Sequence, residues 1–226
     1  MLASSILECT DSTVDPHIRG FVHVPETPNQ NGLVLTHGAG GNAQAPLLIA
    51  LAETFAAAGF TVLRCNLPYR QARPFGPPGP GDAARDRAGL KNAVSKLRGM
   101  ISGRIILGGH SYGGRQSSML CAELSKEEPG LVSALLLLSY PLHPPRKPEQ
   151  QRTQHLPDLR TPTLFVQGTR DPFGSIAEIE RALKMIPGKT RLMVVEGAGH
   201  DLGFKGKARQ EELPPKILSE LTELLS

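Results

Sequence analysis

The 226-residue sequence contains no Trp, and aromatic residues make up only 4% of it. Single-stranded nucleic acids are commonly bound on stacked aromatic side chains, so this composition argues against such a platform. The formal net charge is only +4, from 25 Lys and Arg against 21 Asp and Glu, and the charges are scattered along the chain. Because no basic stripe is present, we expect no nucleic-acid partner.

Cysteine is also scarce: Cys9, Cys65 and Cys121 lie far apart, and no two of them form a C-x-x-C pair. This spacing argues against a disulfide framework and a zinc knuckle, so we expect reduced cysteines, no metal and no cofactor. No stretch approaches 18 uncharged apolar residues, and the first eight residues lack a basic region followed by a long apolar run. We therefore expect a cytoplasmic protein without a membrane partner.

The sequence does contain a regular alternation of short apolar runs and amphipathic segments, over a length (1–226) that fits one domain. The apolar runs predict buried strands at 33–37, 60–64, 104–107, 132–139, 163–167 and 191–195. The amphipathic segments predict helices at 45–58, 83–98, 115–124, 176–185 and from about 214. An antiparallel pair of 6–10 with 18–24 precedes them. The pattern predicts an α/β fold with a doubly wound, mostly parallel sheet and no cap domain.

Two Pro-rich segments interrupt this alternation. Residues 66–82 and 141–160 predict irregular loops that are long enough to form the walls of a pocket. Without a cap insertion, we expect an open and shallow site between them. A third, basic loop follows His200 and leads to the last helix.

A serine-centred turn follows one of the predicted buried strands. Residues 109–113 fit the pattern G-x-S-x-G, with Ser111 between strand 104–107 and helix 115–124. Because the chain has 24 Gly, about one chain in six of this composition would contain the pattern by chance. In a strand, turn and helix context, however, the pattern is typical of a sharp turn that exposes a nucleophilic serine. We therefore predict that Ser111 is a nucleophile.

A seryl hydroxyl needs a neutral imidazole within hydrogen-bond reach to take its proton. Among the histidines after Ser111, only His200 follows the last predicted strand, whereas His143 and His155 lie in the loop 141–160. In a parallel sheet, residues that follow the strands lie together at one edge. This placement favours His200 as the general base.

An acidic residue must accept the other imidazole N–H to fix its tautomer and stabilise the imidazolium. Asp171 follows strand 163–167, whereas Asp158 precedes that strand and Asp201 adjoins His200. The resulting chain order of Ser, Asp and His is that of α/β-hydrolases. Simpler interpretations remain: a plain or phosphate-binding turn at Ser111, an Asp-Pro turn at Asp171 and a loop histidine at His200.

A tetrahedral intermediate also needs hydrogen-bond donors for its negative oxygen. We expect the backbone N–H of Tyr112 to be one donor, and the N–H of Ala39 or Gly40, in the glycine-rich loop after strand 33–37, to be the other. His37 is expected to order that loop rather than act as a second base. Arg115 lies in the first turn of a helix, where the dipole disfavours a cation. Either a carboxylate of the protein, which we favour, or an anionic substrate group would explain it.

The chain resembles the α/β-hydrolase superfamily over nearly its whole length. More narrowly, it resembles the small, lidless, dienelactone-hydrolase-like group that includes testis-expressed protein 30 and its bacterial relatives. The resemblance rests on residues 35–41, 109–115, 139–145, 165–171 and 199–200. It implies that Ser111, Asp171 and His200 are nucleophile, acid and base. Residues 201–204 depart from the pattern of these relatives, so the substrate contacts there are not carried over.

These observations together predict a serine hydrolase that cleaves a small ester or thioester through an acyl-enzyme. We expect Tyr69, Tyr140 and His143, which lie in or beside the Pro-rich loops, to contact the substrate. One alternative is a noncatalytic interaction protein on the same fold, because some eukaryotic relatives serve as scaffold subunits without the full triad. Another is an acyltransferase or perhydrolase that uses the same three residues, because deacylation by water, alcohol or peroxide differs only in the attacking molecule.

Overall fold

The computed structural model describes residues 4–204 and 211–226. Its strands are β1 Ser4–Asp11, β2 Ile18–Pro25, β3 Gly32–Thr36, β4 Thr61–Cys65, β5 Ile105–His110, β6 Ala134–Leu138, β7 Thr163–Gly168 and β8 Thr190–Val195. Its helices are α1 Pro46–Ala57, α2 Pro68–Ala72, α3 Asp82–Arg98, α4 Tyr112–Glu127, α5 Ile176–Leu183 and α6 Leu213–Leu225. In this part of the chain, no helix has the length and apolar character needed to cross a lipid bilayer.

All eight strands form one sheet in the order β1-β2-β4-β3-β5-β6-β7-β8. β3 to β8 are parallel to their neighbours within this set, whereas β2 is antiparallel to both β1 and β4. The described chain contains no cap domain. The predictions of a doubly wound, mostly parallel sheet and of an antiparallel first pair are therefore confirmed.

The helices cover both faces of the sheet. α1 and α6 pack on one face, and α3, α4 and α5 pack on the other. The strands between these layers consist almost entirely of apolar residues because both of their faces are buried. Each residue of Ala134–Leu138, for example, is fully buried. This two-sided burial is the reason that the central strands could be read from the sequence as continuous apolar runs.

The Pro-rich segments contain more structure than the sequence predicts. Within 66–82, which we expect to be irregular, the chain forms the short helix α2, with Pro68 at its first position. Proline is favoured there because its missing N–H would have no partner in the first turn of a helix. The segment 141–160 contains one 3₁₀ turn, Leu156–Asp158. Residues 205–210 of the predicted basic loop lie outside the described part of the chain.

In the turn between β5 and α4, backbone packs directly against backbone. A Cβ atom added at Gly109 would lie 2.5 Å from both Gly113 C and Gly114 N. One added at Gly113 would lie 2.5 Å from the carbonyl oxygen of His37. Real Cβ atoms do not approach backbone atoms this closely, so these positions require glycine.

We expect Gly109→Ala to destabilise the fold by about 1 to 3 kcal/mol or more, because its methyl group would overlap the backbone of α4. Gly81→Ala is a matched control, since Gly81 is exposed at the start of α3 and nothing lies within 4 Å of its added Cβ. We expect the control to change stability by less than about 1 kcal/mol. Urea unfolding of both variants measures this difference. Equal losses would show that the close approach is not a constraint.

Candidate active site

Ser111 lies on the sharp turn between β5 and α4, with φ 52° and ψ −118°. A non-glycine residue in this conformation is strained and persists only where the surrounding structure holds it. Here the Ser111 N–H donates to the carbonyl oxygen of Leu138 at 2.8 Å, and the Ser111 carbonyl accepts from the Arg115 N–H at 2.9 Å. The turn therefore presents the hydroxyl at the carboxyl edge of the sheet.

The structure brings Ser111, His200 and Asp171 into one hydrogen-bonded chain. His200 Nε2 lies 2.8 Å from Ser111 Oγ, and His200 Nδ1 lies 2.8 Å from Asp171 Oδ2. The Asp171 side chain is fully buried, whereas the His200 side chain is 23% exposed. The imidazole thus connects a buried carboxylate with a hydroxyl that lines a cavity.

Phe173 supports the hydrogen bonds between Asp171 and His200. It was not predicted from the sequence. Its N–H donates to Asp171 Oδ1 at 2.9 Å, which leaves Oδ2 for His200. Its ring lies 4.2 Å from the His200 ring, centroid to centroid, at an interplanar angle of 32°. The only signal in the sequence was its position two residues after Asp171. His110, which also lines the cavity, approaches the carbonyl oxygen of His200 with Nε2 at 2.7 Å.

The residues that we expect to supply the oxyanion donors lie around the same cavity as Ser111. Tyr112 is the first residue of α4, so its N–H has no partner within the helix. Ala39 and Gly40 lie in the loop after β3, and all three residues line the same cavity as Ser111. The loop approaches the turn so closely that a Cβ at Gly38 would lie 2.9 Å from His110 Nδ1 and 3.3 Å from Ser111 Cβ.

His37 holds this loop in place through hydrogen bonds of its ring. It is fully buried, with Nδ1 2.9 Å from the Gly38 carbonyl oxygen and Nε2 accepting from the Leu67 N–H at 3.1 Å. Burial lowers the pKa of His37 to about 4, so the ring is neutral near pH 7. Because both ring nitrogens already have partners, His37 is a structural residue rather than a second base.

Asp86 is a second buried support that the sequence analysis missed. It is fully buried, and its two oxygens accept from the Tyr69 N–H at 3.0 Å and the Tyr112 hydroxyl at 2.7 Å. Burial raises the pKa of Asp86 and also that of Tyr112. These contacts tie α3 to the first residue of α4, whose N–H is one of the expected oxyanion donors.

The cavity in front of Ser111 has a volume of about 840 Å³, which is within the range of small-molecule sites. Pro77 and Pro78 of one Pro-rich loop and Pro141 and Arg152 of the other contribute to its walls. The prediction that both loops shape the pocket is therefore confirmed. Among the described residues, no cluster of three or more His, Cys, Asp or Glu is arranged to hold a metal ion.

The three side chains expected to contact substrate lie behind the wall of this cavity. Tyr69 is buried, and its hydroxyl donates to the Ala39 carbonyl at 2.9 Å. Tyr140 is buried against Phe165 and donates to the Arg152 carbonyl at 2.8 Å. His143 is buried with Nδ1 2.8 Å from the Pro144 carbonyl. Their polar atoms are occupied by the protein itself, so we do not propose them as substrate contacts.

The carboxylate partner that we favoured for Arg115 is not found. No carboxylate in the described chain lies within 4 Å of its guanidinium, and its Nε is buried without a hydrogen-bond partner. Arg115 instead lines the cavity together with Arg152. Arg152 could not be found from the sequence because nothing in its loop marks which side chain points inward.

Acidification provides a test of the buried, neutral His37. The unfolded state takes up its proton near pH 6.5 and the folded state only near pH 4, so stability falls as the pH is lowered through this window. The loss from His37 alone is about 3 kcal/mol at pH 4. In urea unfolding between pH 7 and 4.5, we expect His37→Asn to show a shallower pH dependence than the wild type. His17→Asn, at an exposed position, is the control. Identical slopes in all three proteins would contradict a neutral His37.

Comparison with known proteins gives a family match and many matches to solved structures. A family model described as an alpha/beta hydrolase domain matches residues 29–223. Among curated proteins, polyketide synthase ThaQ of Burkholderia thailandensis is 41% identical over 73 residues, or 32% of this chain. Epoxide hydrolase A of Mycobacterium tuberculosis is 34% identical over 68 residues, or 30% of this chain. The matched parts are only 3% and 19% of those proteins.

The structural similarities extend over nearly the whole chain. Dienelactone hydrolase from Anabaena variabilis superposes with a TM-score of 0.73 at 20% identity, covering 98% of each chain. An α/β serine hydrolase without a lid from Xanthomonas campestris gives a TM-score of 0.72 at 18% identity, covering 99% of this chain and 95% of that one. These superpositions establish the fold. The finer resemblance to the testis-expressed protein 30 group stays a prediction. Since the family model spans most of the chain and the observed sheet agrees with it, the protein belongs to the alpha/beta hydrolase domain family.

Proposed function

We propose that the protein is a serine hydrolase that cleaves a small ester or thioester through an acyl-enzyme on Ser111. The observation that carries the proposal is the chain from Ser111 Oγ through His200 to Asp171, with both hydrogen bonds at 2.8 Å. This is the arrangement that activates a serine, because each group orients the next. At the Ser111 end of these hydrogen bonds lies a cavity that is large enough for a small molecule.

In the first half-reaction, Ser111 Oγ attacks the substrate carbonyl carbon while His200 Nε2 takes the hydroxyl proton. The carbonyl oxygen becomes negative and accepts hydrogen bonds from the Tyr112 and Ala39 or Gly40 amides. Asp171 stabilises the imidazolium that forms. When the intermediate collapses, the bond to the leaving oxygen or sulfur breaks, and His200 gives its proton to the alcohol or thiol.

In the second half-reaction, water takes the place of the leaving group. His200 accepts a proton from the water, whose oxygen attacks the acyl carbon. The bond to Ser111 Oγ then breaks, and the proton returns to the serine while the acid leaves. Because Phe173 covers one face of the His200 ring, the imidazole keeps one orientation through both half-reactions.

The similarity to structures of known activity supports an ester as the substrate. A protein described as a bacterial heroin esterase superposes with a TM-score of 0.72 at 18% identity over 99% of this chain. Its name gives the activity of that protein and not of this one. For this chain it supports an ester carbonyl as the group attacked, in agreement with the hydrogen-bonded Ser111.

We expect Ser111→Ala to lower kcat on a 4-nitrophenyl ester by about 10⁴ to 10⁶, because it removes the nucleophile. The thermal midpoint should stay nearly unchanged, since the substitution removes one hydroxyl group and leaves the backbone hydrogen bonds of the turn in place. A fluorophosphonate probe should label the wild type and not this variant. Turnover and gel fluorescence measure these effects.

Ser139 provides a matched control for this experiment. It lies directly after the neighbouring strand β6, is buried, and has a left-handed φ of 50° like that of Ser111, but it does not line the cavity. Ser139→Ala should keep both labelling and turnover. Turnover retained by Ser111→Ala, or a wild type that is neither labelled nor active, would contradict the proposal and favour a noncatalytic protein.

Asp171→Asn separates the orienting carboxylate from the packing around it. The Asn oxygen can still accept from the Phe173 N–H, but its amide cannot accept from His200 Nδ1–H. We expect kcat to fall by about 10⁴ because the imidazole is held in the wrong tautomer. Asp158→Asn is the control, since Asp158 is exposed and pairs with Lys126 at the surface. An Asp171 variant with wild-type kcat would remove this residue from the mechanism.

A further inference from the structure

We propose that Arg115 and Arg152 form an anion-binding subsite beside Ser111, so that the preferred ester carries a second, ionised carboxylate. The inference rests on the proposed hydrolase function and adds the substrate class to it. Both arginines line the cavity that contains Ser111 and His200. Each guanidinium offers donors in a planar fork that matches a carboxylate.

Neither guanidinium group has a carboxylate partner among the described residues. Throughout the described chain, no carboxylate lies within 4 Å of either one, whereas Arg191 near the surface has Glu220 and Glu223 at 2.9 and 2.8 Å. Arg115 Nε is buried without a hydrogen-bond partner. Asp201 also lines the cavity and is engaged in an interaction of its own. Because a buried charged donor without a partner is costly, a bound anion would satisfy it.

Arg152 is held in place by its own backbone and by one side-chain donor. Its N–H donates to the Leu142 carbonyl at 2.8 Å, and its carbonyl accepts from the Tyr140 hydroxyl at 2.8 Å. Its Nη1 donates to the Pro141 carbonyl at 3.1 Å. The remaining guanidinium donors are available to a ligand. Because the side chain is already ordered, binding does not carry the entropic cost of immobilising it.

The surroundings keep this part of the wall positive. Burial, and after it the positive charge of the nearby Arg115, lowers the pKa of Arg152. His155 lies in the same electrostatic environment, and burial followed by the Arg115 charge lowers its pKa to about 4. The His155 ring is therefore neutral near pH 7 and adds no further positive charge beside the two arginines. An anion would relieve the repulsion between the two arginines.

The position of Arg115 places the anion beside the reacting ester. Arg115 is one helical turn after Ser111, and its N–H bonds directly to the Ser111 carbonyl at 2.9 Å. The turn of α4 that presents the oxyanion donor thus also presents the guanidinium. A substrate that spans from Ser111 to this subsite is a half-ester of a dicarboxylic acid, or an ester whose leaving group bears a carboxylate.

The first test compares two esters that differ only in charge. 4-Nitrophenyl hydrogen adipate carries a free carboxylate, whereas 4-nitrophenyl methyl adipate has the same chain and is neutral. We expect the wild type to have a kcat/KM for the half-ester about 10- to 100-fold higher than for the neutral ester. The suberate pair is measured in parallel to allow for the length of the span. A preference for the neutral ester, or no preference in either pair, would overturn the inference.

Substitutions then assign the preference to the two arginines. We expect Arg115→Met and Arg152→Met each to lower the ratio of the two kcat/KM values by about tenfold or more. Arg146→Met is the matched control, because Arg146 is exposed in the same loop as Arg152 and does not line the cavity. It should leave the ratio unchanged. An unchanged ratio in both cavity variants would overturn the assignment.

Direct binding keeps the inference independent of turnover. Titration calorimetry of Ser111→Ala with monomethyl adipate and with dimethyl adipate should show at least tenfold tighter binding of the anion. This difference should be lost in Ser111→Ala combined with Arg115→Met. Equal affinities would overturn the anion subsite, even if both esters are hydrolysed. Absence of hydrolysis and of fluorophosphonate labelling would overturn the proposed function alone, even if the anion binds.

Discussion

The turn at Ser111 depends on backbones that approach one another more closely than any side chain would permit. A Cβ at Gly109 would lie 2.5 Å from Gly113 C, and one at Gly113 would lie 2.5 Å from the His37 carbonyl oxygen. β5, α4 and the loop after β3 are therefore packed directly through their backbones. This packing sets the strained φ of Ser111 and brings the Tyr112 amide to the same place as the loop amides. The positions of the proposed nucleophile and of the proposed oxyanion donors follow from this one constraint.

Buried polar groups hold the loop after β3, which is proposed to supply an oxyanion donor. Arg70 donates to the carbonyl oxygens of Ala39, Gly41 and Gly76 at 2.9 to 3.0 Å, which ties the loop after β3 to the Pro-rich segment 66–82. Tyr69, on the same short helix, also donates to Ala39. These donors hold the carbonyl groups of a loop whose residues Ala39 and Gly40 line the cavity. Donors that are fixed before the reaction do not need to reorganise as charge develops, which is the condition for effective stabilisation of an oxyanion.

The sequence predicted the elements and residues whose position follows from strand order. Ser111, Asp171 and His200 each come shortly after a strand of a parallel sheet, so they had to meet at one edge. Tyr140 also follows a strand, but the direction of its side chain depends on packing against Phe165 from another strand, which no local pattern reveals. The helix α2 was missed because Pro68 at its first position reads as a loop residue. Arg152 was missed because its loop has no periodicity from which a direction could be inferred.

Arg115 is unfavourable in two ways that stability alone does not explain. It is a cation in the first turn of a helix, where the dipole disfavours positive charge, and it lies near a second guanidinium without a carboxylate between them. A residue selected for folding would be neutral or acidic at this position. Since Arg115 is one turn from Ser111 and lines the same cavity, the cost is concentrated where a substrate would offset it. The unsatisfied guanidinium donor of Arg115 thus indicates what the site binds.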